Sequence, residues 1–343
     1  MKKKLYWQLP FLVFLIIGTI VIIAQQRNMP YQHNSGRIFG TSYNITYQCE
    51  QDLHKEIIAE LQKVDQALSM FNDTSTISRI NQGQTPDVSG TMFEEVFLLA
   101  QQISNDTQGA FDITVAPLVN AWGFGFKKGQ LPDNEQIDSL RRLVDYRLLS
   151  LEKKGDRHII VKKVPGMMLD CSAIAKGYGC DRVALLLRHH NIKNFMVEIG
   201  GEVVTRGVSE KRQAWRIGVT KPDDGATAES RELQTVLSVT DRAMATSGNY
   251  RNFYYRDGRK YAHTIDPLTG RPVQHSILSA TVMAPDCATA DAYATAFMVM
   301  GLERAKDILT RHPELTAYLI YTDKQGEYAV WTSPNFKKET LNK

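Results

Sequence analysis

Between Leu53 and Leu68 apolar residues recur at Leu53, Ile57, Leu61, Val64 and Leu68, the three-to-four spacing of an amphipathic helix. The same period predicts helices over Met92 to Ser104, Asn134 to Leu143, Cys180 to His190, Thr289 to Met300 and Leu302 to His312. Ile38 to Gln48 alternates instead and is rich in β-branched and aromatic residues, so it reads as a single strand. Further strands are predicted at Leu148–Leu151, His158–Lys162, Asn194–Glu198, Ala214–Val219, Leu233–Val239, from Ser279, near Ala317–Tyr321 and Tyr328–Trp331. Asp257-Gly258, lying between Asn252–Arg256 and Lys260–Ile265, is the clearest hairpin signal. Helices and strands interleave, but so many strand pairs look like hairpins that the pattern predicts an α+β fold with mostly antiparallel sheets and packed helices.

The N-terminus follows another pattern. Lys2, Lys3 and Lys4 precede an apolar, uncharged run from Phe11 to Ala24, with Trp7 at its edge, which marks a segment for export. A cleaved signal and an uncleaved anchor share these features. Ala24-Gln25-Gln26 is a poor small-x-small cleavage site, and no cysteine follows where a lipid would attach, so an anchor is the expectation. It would hold the chain at a bacterial inner membrane, lysines on the cytoplasmic side and the globular body on the periplasmic side. The polar stretch Gln25 to Ser35 reads as a tether, which divides the chain into an anchor and tether, 1–36, and a body, 37–343.

With 343 residues, 43% hydrophobic and 23% charged, the chain can bury a large core. The net charge of +4 includes the three N-terminal lysines, so no basic surplus is left for nucleic acid. Cys49, Cys171, Cys180 and Cys287 show no zinc spacing and read as small core residues, with a disulfide of undefined pairing as the alternative in an oxidising compartment. Neither GxGxxG after a strand nor GxxxxGK[ST] occurs, so a nucleotide would be held without the usual cradles.

Five segments are too rich in glycine and small polar residues to be ordinary core. In Gly109 to Gly125, Phe111, Trp122 and Phe124 offer flat walls while Asp112 and Thr114 offer polar groups, a combination suited to a planar heterocycle, although such a segment taken alone is more often a packed core hairpin or helix. Asp170 to Asp181 joins a strand end at Leu169 to a helix, and Lys176 there can neutralise a phosphate or simply face solvent. Val197-Glu-Ile-Gly-Gly-Glu-Val203 reads as a bulge or a place where a ligand needs room. Thr246-Ser-Gly-Asn-Tyr-Arg251 is followed by Tyr261-Ala-His-Thr-Ile-Asp-Pro-Leu-Thr-Gly-Arg-Pro272, in which alternation puts Tyr261, His263 and Ile265 on one face. In Ala290 to Phe297, Asp291 and Thr295 share a helix face and form a hard oxygen pair suited to Mg²⁺; the same residues could instead serve the helix dipole and the helix backbone.

In this order the segments resemble the FAD:protein FMN transferases of the ApbE family, from about Phe39-Gly-Thr-Ser-Tyr43 to Trp331. The resemblance rests on the DxxxxxKG segment, SGNYR, HxIDPxTGxP and ADAxxT together. It implies an ApbE-like, tunnelling-fold-like body with FAD, as substrate, in an elongated cleft. The contacts would fall on Phe39, Phe71, Ala110, Phe111, Asp112, Asp170, Lys176 and Ile265. Mg²⁺ would be held by Asp291, Thr295 and the main-chain carbonyl of Ala173, and the usual catalytic candidate corresponds to His263. Phe39 stands where the family usually has methionine, Phe71 where tyrosine is common and Cys171 where leucine is frequent; these swaps bear on affinity rather than reaction type. The implied chemistry is attack by an acceptor threonine hydroxyl on the FMN phosphorus with loss of AMP. His263 would act as base, with Asp266 or a backbone carbonyl orienting its ring. Implied partners are exported flavoprotein subunits of respiratory or ion-pumping redox complexes. Two other readings use the same residues: an Mg²⁺-dependent FAD pyrophosphatase with water as nucleophile, and a flavin-binding carrier without catalysis.

Overall fold

The computed structural model describes residues 10–19, 29–126, 131–222, 232–249, 253–256, 259–274 and 276–336. Its centre is an open eight-stranded sheet with the strands Tyr31–Ile38, Thr41–Gln48, Phe195–Ile199, Glu202–Arg206, Ala243–Gly248, Ile277–Ala284, Thr316–Thr322 and Tyr328–Thr332 in that spatial order. Every neighbouring pair is antiparallel, and the sheet does not close into a barrel. The expected α+β architecture is therefore the one observed.

Two details of the sheet differ from the sequence pattern. Ile38 to Gln48 is not one strand: Phe39 and Gly40, with φ of 51° and 73°, form a two-residue turn between two strands. Positive φ at both turn positions suits the right-handed twist of a hairpin, and alternation alone cannot reveal it when an aromatic residue takes the first position. The strand before that turn begins at Tyr31, inside the stretch read as a tether. Its polar residues suit an edge strand, where one backbone edge and one face meet solvent. Buried Asn34 accepts the Tyr47 hydroxyl at 2.9 Å and donates to Asp52 at 3.0 Å, so this strand is bonded into the body.

Gly200 and Gly201 likewise form a hairpin turn, with φ of 65° and 104°, rather than a bulge. The hairpin around Asp257-Gly258 forms as Phe253–Arg256 paired with Arg259–Ala262, while those two turn residues, with Tyr250 and Arg251, lie outside the described residues.

Three helices position the site. His54–Leu68 packs on Ala175–His189, and Ala175–His189 packs on Cys287–Met300, which lies on the central strands Ala243–Gly248 and Ile277–Ala284. Cys287–Met300 is buried along nearly its whole length and mostly apolar, which makes the single carboxylate of Asp291 conspicuous. Asp286 caps this helix through the Thr289 N–H. The helix start is also held from outside: the Asp181 carboxylate accepts the N–H groups of Cys287 and Ala288, each at 2.8 Å. Burial outweighs those bonds and raises the Asp181 pKa to about 7.

Residues 10–19 are helical with exposed Phe11, Leu12, Phe14 and Ile17, but among the described residues no helix is long and apolar enough to cross a membrane. The rest of the expected anchor, 1–9 and 20–28, lies outside the described residues. All four cysteines are free thiols, three of them buried.

Candidate active site

The two hairpin turns of the sheet lie side by side at one end. A Cβ on Gly200 would sit 2.9 Å from the Thr41 side chain and 3.3 Å from that of Lys176, so the glycine keeps both turns close to the start of the helix Ala175–His189. Phe39, held at positive φ by its turn, lays its ring against Gly179 of that helix; a Cβ there would be 2.7 Å from the ring. A left-handed non-glycine residue costs about 1 kcal/mol or more and marks a site under constraint.

Between these turns, that helix and Cys287–Met300 opens a cleft of 620 Å³. All twelve residues that the family resemblance implies line it: Phe39, Phe71, Ala110, Phe111, Asp112, Asp170, Ala173, Lys176, His263, Ile265, Asp291 and Thr295. An adjoining hollow of 470 Å³ shares Phe39, Phe71 and Lys176 with it, which gives the whole an elongated form. At the mouth, Phe71 is 68% exposed and meets the exposed Phe126 edge to face at 5.1 Å.

Part of the cleft lining is polar. Lys176 stands in the first turn of its helix, where backbone N–H groups and the helix dipole already favour an anion. Its Nζ is 3.3 Å from Glu202 Oε1 and 3.5 Å from Asp291 Oδ2. Burial works against the Lys176 charge, but the Asp291 and Glu202 carboxylates outweigh it and hold the pKa well above the ordinary lysine value. Asp291 also accepts the Gly177 N–H at 3.1 Å. One turn on, Thr295 Oγ1 lies 3.1 Å from Ser247 Oγ on the neighbouring strand. Among the described residues no group of three or more His, Cys, Asp or Glu side chains could hold a metal. The donors here are carboxylate, hydroxyl and main-chain oxygens, a set that fits a hard cation such as Mg²⁺, which takes few protein ligands.

Other parts of the lining are aromatic and apolar. Trp122 is not a cleft wall: it is buried, donates from Nε1 to Gly270 O at 2.7 Å and stacks on Tyr261 at 5.7 Å between centroids. Thr114 is buried and bonded internally, its Oγ1 donating to Asp112 Oδ1 at 2.7 Å. Asp112 also accepts the N–H groups of Thr114 and Tyr146, at 2.8 and 2.9 Å, and so ties two loops together at the cleft wall. Its burial outweighs these bonds and raises its pKa to about 6.

His263 lies just past the strand end at Ala262, its ring 6.4 Å from that of Phe124 at a steep angle. Tyr261, His263 and Ile265 do share a side, all three facing the segment that contains Trp122 and Phe124. Asp266 serves its own turn instead, accepting the Leu268 N–H and the Thr269 hydroxyl, each at 2.9 Å. Glu202 and Ser247 are polar residues of the cleft for which the sequence alone predicts no role. Both sit in segments that stood out, Glu202 directly after the paired glycines, but only the fold brings them to Lys176 and Thr295.

An α+β body with a cleft lined by aromatic side chains, a lysine and hard oxygens is suited to a flat ligand with an anionic tail. The family model described as the ApbE family matches residues 39–319. FAD:protein FMN transferase from Escherichia coli (strain K12) is 35% identical over 290 residues, 83% of this chain and 81% of the relative. The FAD:protein FMN transferase of Haemophilus influenzae is 35% identical over 343 residues, 96% and 98% of the two chains. Among solved structures, the flavin transferase ApbE from Vibrio cholerae superposes with a TM-score of 0.81 at 35% identity, over 90% of this chain and 99% of that one. The chain belongs to the ApbE family.

Proposed function

We propose that this chain is an Mg²⁺-dependent enzyme that transfers FMN from FAD to a threonine hydroxyl of an exported acceptor protein and releases AMP. The observation that carries the reading is the presence, in one cleft, of aromatic side chains together with Lys176, Asp291 and Thr295. The isoalloxazine would lie among Phe39, Phe111 and Ile265, and the diphosphate at Lys176 and the helix start. Asp291, Thr295 and the Ala173 carbonyl would hold Mg²⁺, which supplies positive charge to the diphosphate.

His263 takes the proton of the acceptor hydroxyl as its oxygen forms a bond to the FMN phosphorus; the anhydride bond to AMP breaks and AMP leaves with the electron pair. Acceptors of this chemistry are exported subunits of respiratory or ion-pumping redox complexes, for which a covalent flavin cannot diffuse away. The N-terminal apolar segment anchors the chain in a bacterial inner membrane, with the body on the periplasmic side.

The test is incubation of the protein with FAD, Mg²⁺ and a threonine-bearing acceptor, followed by the acceptor's mass. A gain equal to FMN less water, with one AMP released per transfer, is expected. FAD consumed to FMN and AMP with the acceptor unmodified would replace the transferase by a pyrophosphatase. Stable binding without turnover would leave a carrier.

A further inference from the structure

Glu202 is 3% exposed and comes from a third element, the strand Glu202–Arg206, to meet Lys176 and Asp291. Lys176 Nζ lies between the two carboxylates, at 3.3 and 3.5 Å, so a single ammonium is shared by two buried anions. A divalent cation on Asp291 is repelled by that ammonium on the same carboxylate, because like charges so close in a poorly solvated cleft oppose each other. The lysine then has to move off Asp291 without losing a counter-charge, since an unpaired buried charge is heavily penalised.

Resting on the proposed Mg²⁺ site at Asp291, we infer that Glu202 is a positioning residue: it receives the Lys176 ammonium when a cation takes Asp291, and so sets the affinity for that cation. Lys176 and the metal compete for Asp291, and Glu202 decides the competition in favour of the metal. The two hairpin glycines are part of the device. They place Glu202 at the start of its strand beside the lysine stem, which a side chain at Gly200 would displace.

The test is calorimetric titration of Mg²⁺ alone into the FAD-free full chain, with the Mg²⁺-induced rise in Tm as a second readout and circular dichroism confirming the fold of each variant. Glu202→Gln is expected to weaken Mg²⁺ binding on the order of ten-fold, the effect of one nearby charge at a partly buried site. Lys176→Met removes the competitor and tightens binding. In the Lys176→Met background the added Glu202→Gln change has little effect, because Glu202 then has no lysine to hold; this neutral pair also guards against a single variant that fails to fold. Unchanged Mg²⁺ affinity in Glu202→Gln overturns the inference. So does an equal weakening in both backgrounds, which makes Glu202 a ligand of the cation in its own right. A wild-type chain that binds no Mg²⁺ refutes the metal site of the proposed function itself, and the inference with it.

Discussion

Gly177 is the point at which the helix bearing Lys176 touches the helix bearing Asp291. A Cβ added there would lie 2.2 Å from the Cys287 carbonyl oxygen and 2.9 Å from Ala288 Cα, both backbone atoms that cannot rotate away. Reaching even a tight 3.0 Å contact means that the helices separate by at least about 0.8 Å locally. Overpacking of this kind costs about 1–3 kcal/mol, against which alanine in a helix returns about 1 kcal/mol over glycine. Gly177→Ala should therefore lower Tm by no more than several degrees, at about 2–4 °C per kcal/mol. Catalysis should suffer far more. The same shift pulls the Gly177 N–H away from Asp291 Oδ2, now at 3.1 Å, and moves Lys176 relative to the carboxylate. Misplacement by about 1 Å in a positioned site can lower the rate about 100-fold. AMP release from FAD under saturating Mg²⁺, beside a calorimetric melt, measures both quantities. A folded Gly177→Ala protein with turnover within a few-fold of wild type would refute the claim that helix contact sets the site.

Asp291→Ala should lose Mg²⁺-dependent turnover yet retain FAD binding through the aromatic side chains; full turnover in this variant, or in wild type after exhaustive chelation, would remove the metal from the reaction. His263→Ala should slow transfer by about 10²–10⁴-fold with FAD affinity little changed, as stopped assays and flavin fluorescence can separate. A chain starting at Met29 should fold and bind FAD, whereas one starting at Arg37 loses Asn34, the acceptor 2.9 Å from the buried Tyr47 hydroxyl, and should be destabilised by at least about 1–3 kcal/mol in urea unfolding. Burial raises the Asp112 pKa to about 6 from an unfolded value of 3.8, so the folded state binds more protons in that window. Its contribution is thus most favourable below pH 3.8 and is lost as pH rises through 6. Comparing unfolding of wild type and Asp112→Asn at pH 4 and 7 should show wild type losing up to about 3 kcal/mol relative to the variant.

Local pattern was enough for most of the elements. The helices expected over Leu53 to Leu68 and Met92 to Ser104 are observed as His54–Leu68 and Met92–Asp106, because an apolar stripe every three to four residues has one way to be buried. The hairpin about Asp257-Gly258 likewise follows from a two-residue signal between alternating runs. The candidate residues could be picked out for a related reason: a carboxylate in an alanine-rich apolar helix, and a lysine after a run of small residues, are locally anomalous, and the ordered motifs matched a family.

What no local pattern contained was the company these residues keep. The sheet order follows the chain, but neighbours such as Thr41–Gln48 and Phe195–Ile199 pair across long intervening segments, and contacts of that range depend on which apolar faces meet, not on any one segment. Polar Tyr31–Ile38 is a strand only because Thr41–Gln48 offers it an edge, and Trp122 is core only because Tyr261 and the Gly270 carbonyl reach it. The carboxylates of Asp291 and Glu202 became a pair sharing one lysine only when two helices packed at Gly177 and a glycine hairpin turned a strand start toward them. Residue identity along the chain determined which chemical groups were available; long-range packing, which alone brings groups within a few ångströms of each other, decided which of them act together.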